Sequence, residues 1–70
     1  MRLSARNQLT GMITAIEVGT VMALVKVDLD GGQQVTASVT KAAVEELDLT
    51  VGSAVTAVIK STEVMIAKAG

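Results

Sequence analysis

The stretch Val21-Met22-Ala23-Leu24-Val25-Lys26-Val27-Asp28-Leu29, then Asp30-Gly31-Gly32, then Gln33-Gln34-Val35-Thr36-Ala37-Ser38-Val39-Thr40 repeats apolar residues at every second position on both sides of a glycine pair. A period of two is the signature of a strand with one buried face. Val21, Ala23, Val25, Val27 and Leu29 share one face of the first run, and Val35, Ala37 and Val39 share one face of the second. Asp30-Gly31-Gly32 between them supplies the positive-φ positions of a tight hairpin. On the other face, the first run begins apolar (Met22, Leu24) and ends charged (Lys26, Asp28). A strand apolar on both faces at one end has something covering both faces there.

Upstream, Gln8–Glu17 reads as a further strand rich in Thr, Ile and Met, with Gly11 a bend or bulge, and Val18-Gly19-Thr20 as a short turn. Downstream, Thr40 is placed to cap a short helix from Lys41 to about Leu47, with Val39 and Val44 as a hydrophobic staple. Val44 and Leu47 would seat that helix on the sheet. Leu49-Thr50-Val51-Gly52 reads as a turn and Ser53–Lys60 as a fourth strand. A hinge at Lys60-Ser61-Thr62 leads to a fifth strand from Thr62 to about Lys68. The expected fold is all-β with one short helix between strands three and four. Its architecture is a five-stranded Greek-key barrel of the oligonucleotide/oligosaccharide-binding (OB) type, formed as one domain over residues 1–70.

Composition narrows the function. Seventy residues, half of them apolar, bury only about 60% of their unfolded surface, and such small scaffolds usually need a staple, a metal or a partner subunit. The chain has no Cys, no His and no Phe, Trp or Tyr. Disulfides and thiolate metal sites are therefore excluded, and the commonest general base and transition-metal ligand are missing. Assembly with copies of itself is the staple that remains. Six Lys/Arg against seven Asp/Glu give no basic field for a polyanion, and without aromatic rings the stacking platform for single-stranded nucleic acid is absent. A nucleic-acid-binding barrel is the alternative from another functional class, and both features oppose it. The N-terminus Met1–Asn7 lacks the apolar core of a secretory leader. The longest apolar run, Val21–Val25, falls far short of the roughly 20 residues of a membrane span. The expectation is a cytoplasmic protein with neither nucleic acid nor membrane as partner.

Catalysis finds no support. Asp28/Asp30 flank a hairpin and Glu45/Glu46 lie on the helix, where turn chemistry and solvation explain them. A Ser or Thr nucleophile would have only lysine as its base. Donor-rich segments stand out instead: Ser4-Ala5-Arg6-Asn7 near one end and Lys60-Ser61-Thr62 near the other, with no carboxylate until Glu63. A tetrahedral oxyanion with two negative charges offers only acceptors, so its site should present only donors. Each segment on its own also reads as an ordinary polar loop.

Ser4-Ala5-Arg6-Asn7-Gln8-Leu9 followed by Gly11 resembles the opening signature of the molbindins, the molybdenum-pterin-binding proteins built on the Mop domain. Val55–Met65 is similar to that family's closing strand pair, and Ala43–Leu47 with Leu49–Gly52 to its helix and following turn. The resemblance spans nearly the whole chain and matches a stand-alone single-domain member. It implies cytoplasmic binding and storage of molybdate or tungstate for molybdenum homeostasis, with no catalytic cofactor. It also implies a homohexamer, a trimer of dimers, that holds the anions between subunits. Carried onto this chain, a first oxyanion site would use Ser4, the backbone around Ala5 and Arg6, Thr40, Lys60 and Ser61. A second would use backbone N–H groups of Val18, Gly19, Thr20 and Val21 near the three-fold axis. Arg6 has two readings, one aimed at the anion and one paired with a neighbour's carboxylate. No side chain ligates a metal cation directly. A donor-only shell disfavours protonated phosphate and separates molybdate poorly from tungstate. With no His in the chain and no carboxylate assigned to the shell, binding is expected to vary little between about pH 6 and 9.

Overall fold

The structure is a computed structural model that describes residues 4–70; Met1, Arg2 and Leu3, part of the stretch read for a leader, lie outside the described residues. Four strands, β1 (Asn7–Val18), β2 (Met22–Leu29), β3 (Gln34–Thr40) and β4 (Ala54–Ile59), form one antiparallel sheet in the order β3-β2-β1-β4. A helix, α1 (Lys41–Glu46), joins β3 to β4, and a single 3₁₀ turn follows β4 at Ser61–Glu63. No helix among the described residues is long and apolar enough to cross a membrane.

The opening pattern sets the centre of this sheet. Ala23, Val25 and Val27 of β2 are buried, and β3 alternates between half-buried Val35, Ala37 and Val39 and exposed Gln34, Thr36, Ser38 and Thr40. The connection between them differs from a tight hairpin that uses both glycines. Leu29 N–H donates to Gln33 C=O (2.7 Å) and Gly32 N–H to Leu29 C=O (2.9 Å), and of the two glycines only Gly32 has positive φ, at 95°. The loop is thus a three-residue hairpin with one left-handed position, and at Gly31 neither a positive φ nor a neighbour within 4 Å of an added Cβ calls for glycine.

β1 is shared between two neighbours. Its second half, Gly11–Val18, pairs with β2, and its first half, Asn7–Met12, pairs with β4. A strand that changes partner along its length curls the sheet. The register shift lies between Ile13 and Ala15, at Thr14, so the bulge expected at Gly11 sits three residues further on. Gly11 has a different task. It pairs on both sides, with Leu29 and Val55, and an added Cβ would collide with the Asp28 carbonyl oxygen and meet Val27 Cγ1 at 2.9 Å. Only a residue without a side chain lets β1 and β2 approach so closely.

The helix forms as its cap predicts: Thr40 Oγ1 accepts from Ala43 N–H at 3.0 Å. Val44 is buried with Ile13, Ala23, Val25 and Val27, and Val39 packs against that cluster. Leu47, expected to seat the helix, is 69% exposed. The helix stops at Leu47, and Asp48 turns left-handed (φ 55°), so Leu49 swings back onto the core in its place. Gly52 (φ 96°) then reverses the chain, and Gly52 N–H and Ser53 C=O bond the backbone of Ile13.

The fifth strand is the main correction. Residues 61–63 form the 3₁₀ turn, and no strand follows among the described residues. Val64 leaves the turn extended (φ −90°, ψ 127°), but a strand exists only as a rung of a ladder, and this segment lies against no edge of its own chain. Met65 and Ile66 are 92% and 91% exposed. The fold is therefore a curled, open four-stranded sheet with one short helix.

Candidate functional site

The β1–β4 ladder ends on the rung Asn7–Ile59, and Asn7 Nδ2 donates to the Ile59 carbonyl oxygen across it at 3.2 Å. Arg6 and Lys60 are the next residues outward on the two strands. The antiparallel pairing therefore brings Ser4-Ala5-Arg6 and Lys60-Ser61, from opposite ends of the sequence, to one end of the sheet. Their meeting needs no second subunit. Ser4, Arg6, Lys60 and Ser61 are exposed and Ala5 is half-buried. Gln8 Nε2 donates to the Ala5 carbonyl oxygen (2.9 Å), which fixes the approach of the N-terminal segment.

The turn after β4 adds backbone donors. Glu63 N–H goes to Lys60 C=O (2.9 Å) and Val64 N–H to Ser61 C=O (3.4 Å), while the N–H groups of Ser61 and Thr62 have no hydrogen-bond partner among the described residues. One guanidinium, one ammonium, two serine hydroxyls and these amides make an end of the sheet suited to a doubly charged oxyanion. Charge-assisted bonds from such donors are the strong ones.

Thr40 is not part of this group within one chain. It pairs with Met22, beside the turn that follows Val18, at the opposite end of 12-residue β1. At roughly 3.3 Å per residue that is about 35 Å along the strand. Its hydroxyl oxygen accepts from Ala43 N–H, leaving the hydroxyl proton to give. Thr40 instead neighbours the other candidate residues, Val18, Gly19, Thr20 and Val21.

In that turn Gly19 N–H is already used, donating to Met22 C=O at 2.8 Å, whereas the N–H groups of Thr20 and Val21 have no partner among the described residues. The Val21 carbonyl accepts from Lys41 N–H (2.8 Å), which ties the turn to the start of α1 and sets Lys41 beside it. Sequence reading used Lys41 only as a helix start, because nothing local announces that residues twenty apart will meet. A shallow hollow next to the turn is lined by Glu17, Val18, Gly19, Met22, Ala23, Leu24 and Ser38. Glu17 gives that hollow a carboxylate, whereas Ser4, Arg6, Lys60 and Ser61 at the β1–β4 end bring none, the first being Glu63 at the end of the 3₁₀ turn. Among the described residues no group of three or more Asp or Glu could hold a metal cation.

Comparison with known proteins puts this geometry in context. A family model described as the TOBE domain matches residues 3–66. A probable molybdenum-pterin-binding protein of Haemophilus influenzae is 48% identical over 66 residues, which cover 94% of this chain and 96% of the relative. A molybdate-binding protein from Sporomusa ovata superposes with a TM-score of 0.91 at 40% identity, over 97% of this chain and all of that one. ModG, described as a cytoplasmic molybdate-binding protein and solved with molybdate bound, superposes with a TM-score of 0.83 at 52% identity, over 87% of this chain and 43% of its own. These relatives are binding proteins rather than enzymes. With a domain model matched across most of its length and a relative covered almost end to end, the chain belongs to the TOBE-domain family of molybdenum-pterin-binding proteins.

Proposed function

We propose that this protein binds molybdate, and tungstate with little discrimination, as free oxyanions, and that it serves to store and buffer them in the cytoplasm. The active form in this reading is a homohexamer, a trimer of dimers, with anions held between subunits. Ser4, Ala5, Arg6, Lys60 and Ser61 supply the first site, and Thr40 reaches it from another protomer. Thr20 and Val21 supply backbone donors to a second, with Val18 and Gly19 shaping the turn and Lys41 adding a nearby positive charge. Closure of the sheet into an OB-like barrel belongs to the assembled state.

The observation that carries this reading is the donor-only end of the β1–β4 ladder, in a family whose relatives are named for binding molybdate. An anion there meets no carboxylate before Glu63, whose backbone N–H is turned into the 3₁₀ turn. Exposed apolar residues, among them Val21, Met22, Leu24 and Val58, supply surface for subunit contacts. Hidden apolar area is worth about 25 cal/mol per Å², which a chain with so small a core needs.

Calorimetric titration with molybdate tests the reading. Tight, saturable binding is expected, and Lys60→Ala and Ser4→Ala should each weaken it at least tenfold. If both variants bind as the parent does, the first site is wrong.

A further inference from the structure

Asp30-Gly31 is the chain's single Asp-Gly pair, and it stands at the exposed tip of the β2–β3 hairpin. An aspartyl carboxyl group is open to attack by the backbone nitrogen of the residue that follows it. The attack is fastest before glycine, where no side chain crowds the nitrogen and the backbone turns freely. Two features of the hairpin favour it. The Gly31 N–H has no hydrogen-bond partner among the described residues, so its nitrogen is not committed elsewhere. Nothing lies within 4 Å of an added Gly31 Cβ, so the space in which a ring would close is clear.

One contact opposes the attack. Thr10 Oγ1 donates to Asp30 Oδ2 at 2.6 Å and holds the carboxylate toward β1, while Asp30 N–H donates to Thr10 C=O at 3.0 Å. A single residue of β1 thus fixes both the main chain and the side chain of Asp30. The glycine that makes the pair labile is not one the turn requires, since the left-handed position is Gly32.

We propose that Asp30 is a site of spontaneous isomerisation to isoaspartate, restrained in the folded protein by the Thr10 hydroxyl. The Gly31 nitrogen bonds to Asp30 Cγ and gives up its proton, a carboxyl oxygen departs, and one water is released, leaving a five-membered succinimide. Water then adds to one of the two ring carbonyls and breaks its bond to nitrogen. Opening at Cγ restores aspartate, whereas opening at the α-carbonyl leaves the main chain running through Cβ. Composition is unchanged, and no oxidant, reductant or cofactor takes part. Isoaspartate puts an extra atom into a loop closed by Leu29 N–H to Gln33 C=O and Gly32 N–H to Leu29 C=O, and it moves the free carboxylate onto Cα, out of register with Thr10. The modified hairpin loses these bonds together.

Incubation of the intact protein in warm, neutral buffer made with H₂¹⁸O tests the proposal. Each passage through the succinimide puts one ¹⁸O into residue 30, and electron-transfer fragmentation of the peptide tells isoaspartate from aspartate. Label and isoaspartate are expected at Asp30 and not at Asp28 or Asp48, each of which precedes leucine. Gly31→Ala should slow labelling at least fivefold. Thr10→Val should speed it at least threefold, with Thr10→Ser returning it to the parental rate, and in urea the parent and Thr10→Val should label equally. A folded parent that takes up no label at residue 30 while the urea-unfolded chain does overturns the site. Equal rates for folded parent and Thr10→Val, or a Thr10→Ser rate as high as that of Thr10→Val, overturn the restraint by the hydroxyl.

Discussion

Asp48 stands at φ 55°, alone among the described non-glycine residues in having a positive φ. The reason lies in how α1 ends. Leu49 N–H bonds Val44 C=O (3.0 Å) and Asp48 N–H bonds Glu45 C=O (3.2 Å), the paired pattern that satisfies a helix's last carbonyls when the residue after the cap turns left-handed. The same turn seats Leu49 on the core, so the dihedral serves packing as well as hydrogen bonding. Glycine meets no steric cost there. Asp48→Gly should stabilise the fold by about 0.5–1 kcal/mol after its greater unfolded-state entropy is counted, read as a higher urea midpoint at fixed protomer concentration. Thr40 is the opposite case, a residue already well chosen. Thr40→Ala removes the acceptor for Ala43 N–H and should cost about 1 kcal/mol, with Thr40→Ser restoring most of it. A loss of molybdate binding in Thr40→Ala that Ser repairs, beyond what the stability change accounts for, would mark the hydroxyl as a ligand.

Among the elements, β1 carries the greatest constraint because it has neighbours on both sides around Gly11. Gly11→Ala forces a methyl group against the Asp28 carbonyl, a backbone atom that cannot rotate away. Overpacking of this kind costs about 1–3 kcal/mol, and chemical denaturation should register a loss in that range without loss of helix signal. Elements whose partners are adjacent in sequence were legible from residue pattern alone: β2 and β3 through their alternation, α1 through Thr40 and Val44. Gly11 was recognisable as special but not as to why, since its neighbour across the sheet is seventeen residues away. Leu47 misled because spacing of three residues predicts a shared helix face only while the helix continues. The fifth strand misled differently. Its residues have strand chemistry, yet a strand is a relation between two segments, and the four-stranded sheet does not take this one up. The site divides in the same way. Donor-rich composition pointed to both terminal segments, and the antiparallel register of β1 with β4 explains why they meet. Thr40 at the far end of β1 could be separated from them only by knowing that register.

At the scale of the whole molecule, five residues make up the buried core among those described: Ile13, Ala23, Val25, Val27 and Val44. All are aliphatic, and none is larger than isoleucine. So small a core leaves stability open to whatever binds the folded form, since a ligand that ignores the unfolded chain stabilises by mass action. For one site the gain is about 2.7 kcal/mol at a hundredfold excess over Kd, large beside the margin by which small domains stay folded. Molybdate should therefore raise the thermal midpoint progressively with concentration. Tungstate, of nearly the same size and charge, should raise it by the same amount, and phosphate should have little effect, because its residual proton finds no acceptor in a shell of donors. The shift should persist from about pH 6 to 9, as neither His nor a carboxylate belongs to the proposed shell. Differential scanning fluorimetry with an extrinsic dye, needed because the chain has no Trp or Tyr, measures all three anions together. A phosphate shift equal to that of molybdate would mean that an acceptor sits in the site, and Glu17, beside the Val18–Val21 turn, is the carboxylate that the geometry offers for it.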